Sequence, residues 1–207
     1  MRTIHTSIPF AGYSLQSIEF DPNSFHEHDL LWLPHHALLT AGARKRKAEH
    51  LAGRIAAVHA LREYGSKTVP GIGEQRRPLW PQGLFGSISH CENTALAVVS
   101  RHPVGLDIEA IFSPQVAAEL ASSIVTDEEK AWMVESGLPF EQALTLAFSA
   151  KESAFKATPA LQQANTGFLQ YQIVSVQKQQ LLLLTHARTY RVRWRFSDSH
   201  VMTLATE

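Results

Sequence analysis

The sequence has one cysteine and no excess charge of either sign. Cys91 is the single cysteine among 207 residues, which excludes an internal disulfide framework and a four-cysteine zinc site. Nineteen lysine and arginine residues balance nineteen aspartate and glutamate residues, so no net basic field would attract nucleic acid. We therefore expect no nucleic-acid partner.

Long apolar runs are also missing. No run approaches the roughly twenty apolar residues that are needed to cross a bilayer. The first fifteen residues, "MRTIHTSIPFAGYSL", lack the continuous apolar core of a signal peptide. With 44 % hydrophobic and 18 % charged residues, the composition is typical of a globular protein. These features predict a soluble intracellular protein without a transmembrane segment.

Hydrophobic periodicity and turn signals predict an α+β fold. Residues 1–39 are mixed, and a long helix over about 43–64 precedes a Gly- and Pro-rich loop at 66–83. A capping box, "TDEE" at 126–129, predicts the start of a second helix, and a third is predicted over about 140–157. Strands are predicted at 84–90, 94–100, 104–111, 168–177, 180–187 and 189–197. The order suggests two similar halves, although no internal sequence repeat is evident.

The predicted strand "VGLDIEAI" carries two carboxylates with a spacing of two. Side chains at i and i+2 project from the same face of a strand, so Asp107 and Glu109 should lie close together. Like charges in that position repel unless a cation or hydrogen bonds compensate them. Such an oxygen pair suits magnesium. The alternative is a strand end with both carboxylates in solvent.

The predicted helix "LTLAFSAKESAFKATPA" places charged side chains among apolar ones. Glu152 and Lys156 are four residues apart and therefore lie on one helical face. A surface ion pair is the simplest interpretation. However, Phe148 and Phe155 indicate a mostly buried helix, where unpaired charges are costly. Glu152 could add a third oxygen to the Asp107 and Glu109 set, and Lys156 could face a phosphate.

Two further segments contain candidate phosphate ligands. In "GSISHCEN", Ser89 and His90 lie beside a predicted turn and can donate hydrogen bonds to phosphate oxygens, and a hairpin end with polar residues is the alternative interpretation. Arg54 on the long helix and Arg76 in the loop belong to a basic set that either binds anions or forms a solvated face. The eleven histidines lack the spacings of zinc sites and are interpreted as mostly structural or exposed.

Taken together, "FGSISH", "VGLDIEAI" and "FSAKESAFKA" resemble the 4′-phosphopantetheinyl transferases in order and spacing. Pairing the strand motif with a K-E-S-x-x-K helix about forty residues later is highly specific for this family. The flanking segments "RKAEHLAGRIAAVHALREYG" and "IVTDEE" look like the subgroup typified by enterobactin synthase component D. The resemblance covers residues 44–157. One departure is Phe148, where many members have tryptophan.

The resemblance implies a reaction and a set of site residues. Members transfer the 4′-phosphopantetheine arm of coenzyme A to a serine of an apo carrier protein and release adenosine 3′,5′-bisphosphate. By motif position, Asp107, Glu109 and Glu152 would bind Mg²⁺, and Glu152 would also take the serine proton. Lys156 would act beside the pyrophosphate. The residues expected to contact coenzyme A phosphates are Ser89, His90, Arg54, Arg76 and Lys156.

The resemblance also implies an architecture and a cellular role. We expect a monomer of two pseudo-symmetric α/β-sandwich-like halves, residues 1–110 and 111–207, with the active site in the cleft between them. The acceptor would be a carrier protein or domain of nonribosomal siderophore synthesis, such as enterobactin biosynthesis. The protein would be cytoplasmic, with a peripheral contact at the inner face of the membrane left open. The residues alone also permit a magnesium-dependent pyrophosphate or nucleotide hydrolase, or a non-catalytic carrier-binding module.

Overall fold

The computed structural model describes residues 1–163, 166–186 and 188–207, and the chain divides into two compact units, Met1–His102 and Pro103–Glu207. The sequence analysis placed this division after residue 110. The strand at 104–110 falls in the second unit because it is hydrogen-bonded to the last strand of the chain. Both units combine helices with an antiparallel sheet, which confirms the α+β class. The compact monomer and the position of the active site in a cleft stay predictions.

The first unit is built on a four-stranded antiparallel sheet and one long helix, α1 (Arg44–Arg62). Its strands are β1 (Thr3–Phe10), β2 (Tyr13–Phe20), β3 (Gly71–Ile72), β4 (Pro78–Leu79), β5 (Phe85–Cys91) and β6 (Thr94–Ser100). The sheet order is β1-β2-β6-β5, and β3 and β4 form a separate two-stranded ribbon. The predicted hairpin between β5 and β6 is confirmed, with Glu92 in the left-handed region at φ 52°.

Helix α1 packs on this sheet through the apolar stripe that its sequence predicts. Leu51 and Leu61 belong to the buried core, together with alanines that allow a close approach to the strands. Gly53 is needed at the closest point, because a Cβ atom there would lie 2.8 Å from Cγ2 of Ile88 on β5. The helix therefore packs closely against β5, the strand that carries Ser89 and His90, as well as against β6 and β2.

The second unit places a long helix, α4 (Phe140–Ala157), on a five-stranded antiparallel sheet. The strands of this sheet are β7 (Val104–Ala110), β8 (Gln172–Gln177), β9 (Gln180–Leu184), β10 (Thr189–Phe196) and β11 (His200–Thr206). Their order in the sheet is β7-β11-β10-β9-β8. The remaining helices are α2 (Pro114–Ile124), α3 (Asp127–Glu135) and α5 (Ala160–Gln163). Each unit thus follows the same plan of one long helix on an antiparallel sheet.

Several elements of the second unit differ from the prediction. Helix α2 was not predicted, although Ser113 accepts a hydrogen bond from the Val116 N–H as its N-cap, and strand β11 was also missed. The predicted strand at 168–177 begins only at residue 172, because 168–170 forms a 3-10 turn. The predicted strand at 180–187 ends at residue 184, and residue 187 lies outside the described residues. The capping box of Thr126 and Glu129 is confirmed.

None of the helices in the described ranges is long and apolar enough to cross a membrane. The cytoplasmic location stays a prediction.

Candidate active site

A single glycine sets the distance between strand β7 and helix α4. A Cβ atom at Gly105 would lie 1.8 Å from the carbonyl oxygen of Ser153 and 2.7 Å from the backbone nitrogen of Ala157. Only a residue without a side chain allows this approach, because both neighbours are backbone atoms of the helix. The glycine therefore brings the strand residues that follow it against the turn of α4 that carries Glu152 and Lys156.

Asp107 and Lys156 form an ion pair across this contact. Nζ of Lys156 lies 2.7 Å from Oδ1 of Asp107 and 3.3 Å from the carbonyl oxygen of Leu106. Asp107 is 2 % exposed, whereas the Lys156 side chain is 27 % exposed. A nearly buried carboxylate needs such a partner, because removing a charge from water is costly. The helix lysine that could have been a surface charge thus reaches a strand residue 49 positions earlier.

The electrostatics of Glu109 and Glu152 indicate that three carboxylates converge here. The pKa of Glu109 is raised to about 7, mainly by burial and also by the negative charges of Asp107 and Glu152, while the positive charge of Lys156 opposes the shift. Burial likewise raises the pKa of Glu152, while Lys156 lowers it and Asp107 raises it. One lysine thus faces three carboxylates, so the cluster is short of positive charge. Asp107 and Lys156 are thus in contact, and the charges of Glu109 and Glu152 act on the same cluster, while the roles of these four residues stay predictions.

The donor chemistry of this cluster suits a hard divalent cation. Within the described ranges, no three histidine, cysteine, aspartate or glutamate side chains are already arranged to hold a metal ion. Magnesium does not require such a cage, because it is usually bound by one or two carboxylates together with water and substrate phosphates. Carboxylate oxygens with an unfavourable excess of negative charge therefore fit Mg²⁺.

The first unit contains a second cluster, of basic residues, around His50. The pKa of His50 is lowered to about 3, mainly by burial and also by the nearby charges of Arg54, His35, His90 and Arg76. Nε2 of His50 lies 2.9 Å from Nε2 of His35. The predicted phosphate ligands Arg54, His90 and Arg76 are thus close enough to influence the same imidazole. A site with this excess of positive charge favours an anion.

The side chains of this basic cluster differ in how accessible they are to a ligand. Arg54 is 4 % exposed and donates through Nε to the carbonyl oxygen of Pro70 at 2.8 Å and through a terminal nitrogen to that of Gly71 at 3.2 Å. Its guanidinium therefore supports the loop that precedes Arg76. The side chains of His90 and Arg76 are exposed, and Nδ1 of His90 lies 3.9 Å from Oε2 of Glu49.

Ser89 does not belong to this basic cluster. Successive side chains on a strand point to opposite faces, and Ile88 packs toward α1. The buried Ser89 therefore lies on the face of β5 that turns away from α1, opposite to Ile88 and His90. Its predicted contact with coenzyme A stays a prediction.

The sequence analysis missed two contributors to these sites. His50 precedes Arg54 by four residues on α1, and that spacing alone would have placed both on one helical face. The sequence does not indicate a role for Gly105, because its close contact with α4 involves residues about fifty positions later.

Comparison with known proteins assigns the chain to a family. The model of the 4′-phosphopantetheinyl transferase N-terminal domain matches residues 34–100, and that of the 4′-phosphopantetheinyl transferase superfamily matches residues 103–205. The chain is 58 % identical to enterobactin synthase component D of Escherichia coli K12, over 99 % of this chain and 98 % of the relative. Identity to the same component of Salmonella typhimurium is 54 %, over 100 % and 91 %. Identity to the 4′-phosphopantetheinyl transferase Npt of Nocardia iowensis is 28 %, over 74 % and 68 %. With family matches in both units and this identity over nearly its full length, the chain belongs to the 4′-phosphopantetheinyl transferase superfamily.

Proposed function

We propose that this protein transfers the 4′-phosphopantetheine arm of coenzyme A to a serine of an apo carrier protein. The observation that carries the proposal is the cluster of Asp107, Glu109, Glu152 and Lys156, built by β7 and α4 in a chain of this family. Three carboxylates and a lysine are the groups needed to manage charge and protons during phosphoryl transfer. The names of the similar relatives support a carrier of siderophore synthesis as the acceptor.

Asp107, Glu109 and Glu152 are the residues that would hold Mg²⁺. The pKa of both glutamates is raised, first by burial and also by the negative charge of Asp107, so the charged carboxylates are disfavoured without a compensating cation. When bound, the ion would supply positive charge to the oxygens of the pyrophosphate. This requirement for charge compensation supports Mg²⁺ as the cofactor.

Lys156 and Glu152 have different roles in the transfer reaction. The serine oxygen of the carrier attacks the pantetheine-bearing phosphorus, a new P–O bond forms, and the P–O bond to the bridging oxygen breaks. The electron pair leaves with adenosine 3′,5′-bisphosphate, and Lys156 stabilises negative charge on the phosphates. Glu152 accepts the serine proton. A carboxylate within reach of the attacking hydroxyl can act as its general base.

The basic cluster of the first unit is proposed to bind phosphate groups of coenzyme A. His90 and Arg76 are exposed and carry donors, whereas Arg54 would act through the loop carbonyls that it holds. Its effect on phosphate binding would therefore be indirect.

One chain supplies both the carboxylate cluster and the basic cluster. We therefore also propose that the protein acts as a monomer.

Mass spectrometry of an apo carrier protein incubated with coenzyme A and Mg²⁺ tests the proposal. The wild-type protein should add one phosphopantetheine unit to the carrier, and Asp107→Asn should lose this activity. Release of phosphate without modification of the carrier would instead identify a hydrolase. Carrier binding without turnover, unaffected by Asp107→Asn, would identify a binding module.

A further inference from the structure

Lys151 is fully buried although it lies beside the proposed catalytic Glu152. Its side chain is 0 % exposed, and Nζ donates to the carbonyl oxygen of Ile124 at 2.7 Å and to Oε2 of Glu129 at 2.8 Å. Lysines are almost never fully buried unless they are paired. Because it is fully enclosed and both contacts are internal, Lys151 cannot touch a substrate in this arrangement.

Glu129, its partner, connects several elements of the second unit. This carboxylate is 3 % exposed, and its Oε2 also accepts a hydrogen bond from the backbone N–H of Thr126 at 2.9 Å. Oε1 accepts from the N–H of Ile173 at 2.7 Å. One buried ion pair thus joins the end of α2, the start of α3, the edge strand β8 and α4.

A second set of contacts holds α4 from another side. Oγ of Ser149 lies 2.9 Å from Oγ1 of Thr203 on β11, and Thr203 donates to the carbonyl oxygen of Ser149 at 2.8 Å. Residues of an α-helix advance by about 100° each, so Glu152 and Lys156 lie in the arc between Lys151 and Ser149. A rotation of α4 about its axis would move both functional side chains together. Contacts on either side of that arc oppose this rotation.

We propose that the ion pair of Lys151 and Glu129 is a positioning device that sets the rotation of α4 and so aims Glu152 and Lys156. This inference rests on the proposed function, because it assigns the aimed residues to the transfer reaction. Losing the pair would leave the two side chains intact but turned away from Asp107. A misplacement of about 1 Å is enough to lower an enzymatic rate about a hundredfold.

The test removes both charges at once, because a single substitution would leave an uncompensated charge in the core. The double variant Lys151→Met, Glu129→Gln keeps the aliphatic stem and an amide oxygen for one of the two backbone N–H donors. The matched control is Lys130→Met, Asp127→Asn, which removes an exposed ion pair of 2.7 Å on α3. Both variants lose the same formal charges.

Three measurements distinguish a positioning role from simple structural support. They are the cooperativity of thermal melting, kcat, and the Kd for Mn²⁺, which serves as a spectroscopic probe for Mg²⁺. We expect the double variant to melt cooperatively, with kcat lowered about tenfold or more and the Kd for Mn²⁺ raised about threefold or more. The control should keep wild-type values of all three. A double variant with wild-type kcat and Mn²⁺ affinity would overturn the proposal, whatever its melting temperature.

A second variant decides the outcome if the double variant does not fold. Lys151→Arg keeps the charge but changes the geometry of the donor, so a folded protein with reduced kcat supports positioning. A folded Lys151→Arg protein with wild-type kcat and wild-type Mn²⁺ affinity contradicts it. If the wild-type protein modifies no carrier at all, the proposed function fails. The Mn²⁺ measurement then still tests whether the pair positions the carboxylates.

Discussion

Replacing Gly105 with alanine should separate the two elements that build the carboxylate cluster. The new Cβ atom would lie 1.8 Å from the Ser153 carbonyl oxygen, whereas an unstrained contact requires about 3.4 Å. Helix α4 or strand β7 must therefore shift by about 1.5 Å, since neither neighbour is a flexible side chain. Overpacking of this kind costs about 1–3 kcal/mol, and the clash with backbone places this variant at the upper end.

Gly105→Ala should also lower the catalytic rate. A displacement of about 1.5 Å between β7 and α4 should lower kcat by about a hundredfold or more. Chemical denaturation measures the free energy of unfolding, and single-turnover transfer to a carrier measures the rate. Gly167→Ala is the control in the same unit, because a Cβ atom there meets nothing within 4 Å and φ is −78°. A Gly105→Ala protein with wild-type stability and rate would refute the argument that this close contact builds the site.

Three other predictions concern separate parts of the molecule. The lowered pKa of His50, about 3, means that the unfolded chain binds more protons between pH 6.5 and 3. The free energy of unfolding should therefore fall as the pH drops through this window, by at most about 1.4 kcal/mol per pH unit. Denaturation of His50→Gln at each pH should show a weaker dependence of this free energy on pH. The same dependence in the wild-type and variant proteins would contradict the prediction. Lys156→Met should slow single-turnover transfer about a hundredfold, because it removes the positive charge beside Asp107, and an unchanged rate would exclude its role. Thr158→Val should lower the free energy of unfolding by about 2 kcal/mol with kcat retained, because two buried tyrosine hydroxyls lose their partner; a loss below about 0.5 kcal/mol would contradict this.

Local spacing predicted the contents of the carboxylate cluster. A spacing of two on a strand placed Asp107 and Glu109 on one face, and a spacing of four on a helix did the same for Glu152 and Lys156. Periodicity also predicted the two long helices to within two residues of their ends. These properties depend on neighbours in the chain, and so they can be read from a short stretch of sequence.

Contacts between distant residues could not be predicted in the same way. The burial of Arg54 depends on carbonyl oxygens 16 and 17 residues later, and the burial of Lys151 depends on Glu129. The sequence analysis interpreted Arg54 as an anion ligand or a solvated charge and assigned no role to Lys151, because the sequence does not reveal which side chains a fold encloses. Helix α2 is a different case, since "SP" at 113–114 is a recognisable N-terminal signal that was overlooked.

The transfer activity of Glu152→Gln tests the central claim most directly. This variant removes the proposed base and metal ligand while preserving the size of the side chain, and Glu141→Gln makes the same change near the start of the same helix. The mass of an apo carrier, followed over time with coenzyme A and Mg²⁺, should increase by one phosphopantetheine unit with the wild-type and Glu141→Gln proteins, and should stay unchanged with a folded Glu152→Gln protein. Modification of the carrier by Glu152→Gln at the wild-type rate would contradict the account.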